Sequence, residues 1–452
     1  MTGIFKAYDI RGIYPTEIDE EIARKIGFAF AQYLDKTKIV VGHDMRDSSP
    51  LLARAFIEGA LSFGTEVQDI GLATTPMLYY AIADGGFDGG AMITASHLPA
   101  QYNGVKLCRE KAIPLSGDDG LPEVEAIAMA IETVPMKKGN PSRADWLGRY
   151  VDRVAGLLEN PSPLTIVVDA GNGMGGLDTP RLLERLPQCK FIPMYMEPDG
   201  DFPHHVPNPI LPETTVELQR RVLSEKADLG VAFDGDGDRC GFIDEHGRRI
   251  PSDLVIAALA EFFLRKSPGA TVLYDLRASR AVPERIRELG GNPAKTRVGH
   301  SFVKQRMREI NAVFAGELSG HYYYREMGFI DNGIVSLVTM LNLIGLRNEP
   351  VSELIRPLQK YAQTGEVTFQ VRDGDELFRE LEYAYSDATK EHLDGLTIEY
   401  PDWWFNLRQS HTEPAVRLVM EANNHDTLER EQARLNRIID KYMCEGAEHG
   451  PS

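Results

Sequence analysis

The sequence predicts an α/β protein in which one strand–helix unit is used three times before a smaller α+β region closes the chain. Two patterns carry this expectation. First, the short apolar runs Ile39-Val40-Val41, Ile166-Val167-Val168 and Val272-Leu273-Tyr274 each lead into an acid, Asp44, Asp169 or Asp275. Second, a later strand in each unit feeds a polar loop: Ala91-Met92-Ile93 runs into Thr94-Ala95-Ser96-His97, Val231-Ala232-Phe233 into Asp234, and Ala312-Val313-Phe314 into Gly316-Glu317-Leu318-Ser319-Gly320-His321. Short apolar strands alternating with helical stretches imply parallel sheets covered by helices.

The elements follow in order. A helix is expected from Ser49 to Gly64, with Ser49 as N-cap and Pro50 in the first helical position. The breaker-rich run from Pro135 to Ser142 marks a first boundary, and Ile250-Pro251 a second, ahead of the helical run that opens the third unit. The apolar stretches Leu254–Leu264 and Ile334–Leu346 are interrupted by Glu261, or by Ser336, Thr339 and Asn342, and are too short to span a bilayer, so they read as buried helices. Tyr322-Tyr323-Tyr324 and the run Trp403-Trp404-Phe405 read as strands, the tryptophans as core. A third boundary falls near Thr364-Gly365-Glu366, and a helix from about Thr427 closes the chain, with Asp426 and Glu429 as a capping-box-like start. The domain limits are therefore set at 1–138, 139–250, 251–365 and 366–452.

Composition narrows the function. At 452 residues several domains and clefts between them are expected, and a net charge of −18 argues against nucleic-acid or anionic-membrane binding. Anion chemistry here requires local concentration of cations. Lys6, Asp9 and Arg11 leave no room for a secretory h-region, and Cys108, Cys189, Cys240 and Cys444 show neither metal spacing nor a paired framework, so a reducing cytoplasm is expected.

Asp234-Gly235-Asp236-Gly237-Asp238-Arg239 carries the chemistry. A strand delivers three carboxylates at alternate positions, glycines let the backbone fold back, and oxygen ligands select a hard cation such as Mg²⁺. An ordinary turn needs neither three carboxylates nor two interleaved glycines. Arg239 adds a group suited to phosphate. Ser96 lies between a strand and a loop containing Pro99 and Tyr102-Asn103-Gly104-Val105-Lys106, without a Gly-x-Ser-x-Gly elbow, so a phosphoryl-carrying hydroxyl beside a metal fits better than acyl transfer.

Four separated motifs, in order, resemble the α-D-phosphohexomutases, and most closely the bacterial phosphomannomutase/phosphoglucomutase branch. They are Thr94-Ala95-Ser96-His97 with Asn103-Gly104-x-Lys106, the Asp234–Arg239 loop, Gly316–His321, and Arg408-Gln409-Ser410-His411-Thr412-Glu413-Pro414 with Arg417; Tyr8-Asp9-Ile10-Arg11-Gly12 agrees. The resemblance implies a heart-shaped, four-domain enzyme with mixed, mainly parallel sheets around a central cleft, the fourth domain being α+β. It implies reversible interconversion of hexose 1-phosphate and hexose 6-phosphate, of mannose or glucose, through a phosphoserine at Ser96 and a hexose 1,6-bisphosphate.

In that scheme Asp234, Asp236 and Asp238 hold Mg²⁺ with the phosphoryl of Ser96, and Glu317 and Ser319 grip sugar hydroxyls. Arg408, Ser410, His411, Thr412 and Arg417 bind the phosphate that is not reacting. Arg11, Lys106, Arg239, His300 and His321 line the reacting end, with His97 supporting. Expected partners are small sugar phosphates, with no nucleic acid or membrane, and the expected state is a monomer or weak homodimer. Two positions depart from the family pattern: Leu98 stands where Asn commonly follows the Ser-His pair, and His411 where Asn commonly lies. Phosphoglucosamine mutase shares the Ser-Gly-His ending of the sugar loop, but Leu318 and Tyr322-Tyr323-Tyr324-Arg325 lean towards the mannose/glucose enzymes. Leu98 makes a silent sugar-phosphate-binding protein the third reading, against which stand Ser96, the three aspartates and Lys106.

Overall fold

The computed structural model describes residues 3–35, 38–135, 139–409, 415–444 and 450–451, in which four sheets mark four domains. The first sheet runs in the order Ile10–Ile13, Tyr102–Arg109, Gly89–Ile93, Lys38–His43, Glu66–Leu72, Ser142–Arg143, so the chain leaves it only after Arg143. The second is Arg249–Ile250, Cys240–Asp244, Leu229–Phe233, Thr165–Asp169, Lys190–Met194, and the third Asn292–Thr296, Thr271–Asp275, Phe314–Gly316, Tyr322–Tyr324, Ile330–Asp331. Each of these joins a parallel half to an antiparallel half. The fourth sheet is antiparallel, built on Ala362–Gln370, Trp403–Gln409 and Ala415–Ala422.

The repetition has a positional consequence. In all three units the polar loop connects the last strand of the parallel half to its antiparallel neighbour: 94–101 follows Gly89–Ile93, 234–239 follows Leu229–Phe233, and 317–321 follows Phe314–Gly316. The carboxyl ends of parallel strands are where α/β sheets present ligand-binding loops. The acids that end the equivalent strands are buried and turn back on the chain: the Asp44 carboxylate accepts from the Arg46 amide, Asp169 from Gly171 and Asp275 from Arg277.

Packing explains the apolar runs. Helix Ser252–Lys266 is buried from Asp253 to Leu264 and helix Gly333–Arg347 from Gly333 to Ile344, and both belong to one core that also holds strands of the second and third sheets. Each such Leu, Ile, Val or Phe contributes roughly 1.5–3 kcal/mol relative to exposure. Glu261 stays on its helix because Arg265, Arg285 and Arg347 meet its carboxylate at the rim. Among the described residues no helix is long and apolar enough to cross a membrane.

Three local expectations are corrected. The strand expected at Ala312–Phe314 is Phe314–Gly316, because the Ala312 amide still closes the preceding helix on the Met307 carbonyl. Ser48, not Ser49, precedes the helix Ser49–Phe63; the Ser49 hydroxyl instead donates to the buried Asp44 at 2.5 Å. The closing helix is His425–Ile439, capped by Asn424 accepting from the Thr427 amide, so the Asp426–Glu429 start is two residues too late.

Candidate functional site

Ser96 lies at the carboxyl end of Gly89–Ile93 with a backbone φ of 51°, a left-handed conformation that costs a non-glycine residue on the order of 1–2 kcal/mol. The loop holds it there. The Ser96 amide donates to Thr94 Oγ1 at 2.9 Å, and its hydroxyl donates to Asp234 Oδ2 at 2.7 Å and lies 3.2 Å from His97 Nδ1. The serine loop and the aspartate loop come from different domains, yet the backbones nearly touch: a Cβ on Gly235 would sit 2.3 Å from the Ser96 carbonyl oxygen. Gly237, at φ 78°, completes the reversal that brings three carboxylates together.

Asp234, Asp236 and Asp238 are buried, and an oxygen of each lies within 4.8 Å of the others. Lys106 Nζ bridges Asp236 Oδ2 at 2.5 Å and Asp238 Oδ2 at 2.6 Å, Thr75 Oγ1 donates to Asp236 Oδ2 at 2.6 Å, and Arg239 Nε donates to Asp234 Oδ2 at 3.0 Å. Burial together with the charges of Asp238 and Asp236 pushes the Asp234 carboxyl up to about 7. Asp238 also suffers from burial, but Lys106 and His321 hold it well below the usual carboxylate range. Asp236 Oδ1 and Asp238 Oδ1 remain buried without a hydrogen-bond donor. Orphaned carboxylate oxygens in a buried acidic cluster are costly unless a cation takes them, so the donor set fits a hard divalent ion.

The third loop is stitched to the second. The Cys240 amide donates to the Gly320 carbonyl at 3.2 Å, and His321 Nε2 lies 3.4 Å from Asp238 Oδ1 and 3.8 Å from Asp331 Oδ2. Glu317 is buried; its carboxylate accepts from the Gly299 amide at 2.8 Å and from the Tyr323 hydroxyl. Ser319 Oγ is 3.0 Å from His321 Nδ1. The surroundings of the two histidines shift them in opposite directions. Burial alone would lower His321, but Asp238, Asp331 and Glu317 hold it above the ordinary value, whereas burial and the Lys304 charge push His300 well below. Both His300 ring nitrogens are buried without partners, and its ring centroid is 6.0 Å from that of His321.

Ser96, Lys106, Arg239, His321 and the three aspartates thus meet in one place. Arg11 pairs with Asp9 at 2.7 Å. Arg408 Nη2 lies 2.6 Å from Glu366, and Arg417 Nη1 3.9 Å from the same carboxylate. Ser410, His411 and Thr412 lie outside the described residues. Reading the sequence missed Arg46, Thr75, Asp331 and Lys304, the last two a fully buried ion pair at 2.8 Å. Only Asp44, the acid after the strand Lys38–His43, with an arginine two residues on, signalled any of them.

Comparison with known proteins supplies what geometry alone does not. The chain matches the phosphoglucomutase/phosphomannomutase α/β/α domain I over residues 2–134, domain II over 148–247 and domain III over 251–361. The chain belongs to the phosphoglucomutase/phosphomannomutase family. It is 38% identical over 431 residues to a phosphomannomutase of Escherichia coli, covering 92% of this chain and 94% of that one. It is 39% identical over 438 residues to the phosphohexose mutases of Xanthomonas campestris pv. campestris, covering 94% and 96%. The crystal structure of a phosphoglucomutase/phosphomannomutase family protein from Burkholderia thailandensis superposes with a TM-score of 0.90 at 33% identity, covering 99% and 98%. Family membership makes the chain a hexose-phosphate mutase, an enzyme that moves a phosphoryl group on sugar-phosphate substrates.

Proposed function

We propose that the enzyme interconverts hexose 1-phosphate and hexose 6-phosphate through a phosphoserine at Ser96 and a hexose 1,6-bisphosphate. The observation that carries this reading is the Ser96 hydroxyl 2.7 Å from Asp234, inside a buried acidic cluster that also holds Lys106 and Arg239. Relatives named phosphomannomutase support mannose phosphates as substrates, and the phosphoglucomutase/phosphomannomutase family model supports glucose phosphates alongside.

Asp234, Asp236, Asp238 and an oxygen of the serine phosphate would hold Mg²⁺, which when bound supplies charge neutralisation for the phosphoryl oxygens. The rest falls to the chain. The free hydroxyl of the sugar attacks phosphorus, the bond from phosphorus to Ser96 Oγ breaks, and Lys106 and Arg239 offset the charge collecting there. The proton of the attacking hydroxyl needs an acceptor. His300, lowered by burial and with unpartnered ring nitrogens, suits that role, while His321, held above the ordinary value by Asp238, Asp331 and Glu317, suits donation. The bisphosphate then reverses in the cleft and returns its other phosphoryl to Ser96, so the enzyme ends as it began. Glu317 and Ser319 would accept from sugar hydroxyls, with Arg11 at the reacting end. Arg408 and Arg417, with the loop 410–412, would bind the distal phosphate.

A coupled assay over mannose, glucose and glucosamine 1-phosphates, with hexose 1,6-bisphosphate added, tests the activity. Intact-mass analysis and peptide mapping should find phosphate on Ser96, and Ser96→Ala should lose nearly all turnover while staying folded. Full activity in that variant would end the phosphoserine reading.

A further inference from the structure

Arg46 is buried, 1% exposed, and none of the roles assigned above uses it. A guanidinium has five N–H donors in a fixed plane. Here all five are used on one task. Nε donates to Asp44 Oδ2 at 3.2 Å, Nη1 to the carbonyls of Pro99 at 2.8 Å and Tyr102 at 2.9 Å, and Nη2 to those of Ser96 at 2.8 Å and Leu98 at 2.6 Å. Three carbonyls of the serine loop, Ser96 among them, and that of Tyr102 at the start of the next strand therefore converge on one side chain. Leu98, which cannot bond through its side chain, is held through its backbone instead.

The arginine is itself fixed from both sides. Asp44 accepts from its amide as well as from Nε, and also from the Ser49 hydroxyl, while Asn103 Nδ2 donates to Ser49 and to Ser48. From the second domain, the Phe202 ring stacks on the guanidinium at 5.2 Å, and Gly200 comes so close that a Cβ there would lie 2.7 Å from Arg46 Cα. The residue thus sits where the metal-loop domain presses on the serine loop.

We infer that Arg46 is a positioning residue for phosphoryl transfer: its five-donor clamp holds Ser96 in its strained backbone conformation, with Oγ aimed at the aspartate cluster. This rests on the reading of Ser96 as the phosphoryl carrier. Lysine offers three donors from a point charge and cannot reproduce a planar grip on four carbonyls. A displacement of about 1 Å at a reacting atom costs on the order of 10²-fold in rate.

The test loads Ser96 with glucose 1,6-bisphosphate, then mixes the phosphoenzyme rapidly with mannose 1-phosphate or glucose 1-phosphate and follows phosphate leaving Ser96. The first-order rate constant per loaded site is blind to any loss of folded protein, which changes only the amplitude. Arg46→Lys should lower that constant by between about ten- and a hundredfold with KM altered by less than about threefold, and millimolar guanidinium should recover part of the loss in Arg46→Ala. Should neither variant fold, Asp44→Asn loosens the guanidinium without removing it and should lower the same constant several-fold. A wild-type rate constant in the folded variants, beside an inactive Ser96→Ala, overturns the role of Arg46 alone. Undiminished turnover in Ser96→Ala overturns the phosphoserine reading and this inference with it.

Discussion

Asp236 shows how much a single side chain in this site is asked to do. Its Oδ2 takes hydrogen bonds from Lys106 and Thr75, while Oδ1 is buried without a donor and is the oxygen proposed to face the cation. Asp236→Asn keeps the shape but removes a charge from both tasks, so half-saturation by Mg²⁺ should rise at least about tenfold and turnover should fall with it. Metal titration of activity, with binding followed by calorimetry, checks this, and undiminished activity after exhaustive chelation would contradict the metal assignment. Glu317→Gln forces an amide to face the Gly299 N–H and the Tyr323 hydroxyl, two donors that a carboxylate satisfies at once. The amide also gives the proposed sugar hydroxyls a weaker, uncharged acceptor, and a hydrogen bond to a charged group is worth about 1.5–3 kcal/mol, so kcat/KM should drop roughly 10- to 100-fold for every hexose phosphate tested. Kinetics unchanged across the panel would remove this loop from the site. The residues legible in the sequence were those written as contiguous motifs, such as Asp234–Arg239 or Gly316–His321. Thr75 and Lys304 were not legible, because each gains its meaning from a partner far away in sequence: Asp236 lies 161 positions from Thr75.

At the level of elements, the acid at the end of the first strand of each unit is a recurring device. Asp44 and Asp275 each fix an arginine two residues on, and those arginines reach different targets: Arg46 the serine loop, Arg277 the fourth domain. The strands themselves were legible because apolar β-branched runs ending in polar loops leave few alternatives. Helix starts were less so, since Ser48, Ser49, Asn424 and Asp426 are all plausible caps: Ser49 is drawn off by Asp44, while Asn424 wins through its own bond to the Thr427 amide. Helix–helix contact is a further thing that composition hides. Helices Glu20–Leu34 and Ser49–Phe63 cross at Gly27 and Gly59, where added Cβ atoms would lie 2.0 Å from the Phe56 and Arg24 carbonyl oxygens. Gly59→Ala gains up to about 1 kcal/mol of helix propensity. The helices must separate to admit it, and overpacking of this kind costs about 1–3 kcal/mol or more. Amide hydrogen exchange in 20–34 and 49–63 should accelerate. Gly148→Ala, with nothing within 4 Å, should instead slow exchange in helix Leu147–Ala155. Equal behaviour of the two variants would show that the helix crossing does not constrain residue 59.

On the scale of the molecule, one carboxylate draws arginines of two domains together, beside the bonds that Arg280 makes to Glu421, Glu399 and the Tyr400 carbonyl. Glu366 lies beside a register shift in the strand Ala362–Gln370 and accepts from Arg277 of the third domain at 3.1 Å and from Arg408 of the fourth at 2.6 Å, with Arg417 3.9 Å away. Burial opposes its charge, but Arg277, Arg408 and Arg417 prevail and bring its carboxyl down to about 2. The sign follows from which state binds the proton more tightly. The unfolded carboxyl titrates near 4.5 and the folded one near 2, so the unfolded chain takes up protons first as pH falls. The stabilisation from this network is therefore complete above about pH 5 and is lost as pH falls through about 4.5 towards 2, an effect of roughly 3 kcal/mol at most. Other carboxylates titrate in the same range, so the comparison must be with Glu366→Gln, which cannot. Exchange protection of the fourth-domain strands, measured on both proteins between pH 6 and pH 3, should show the wild type better protected at pH 6 and the gap narrowing as the solution is acidified. A gap of constant size would show that the arginines hold the domain through packing and backbone contacts rather than through the charge of Glu366.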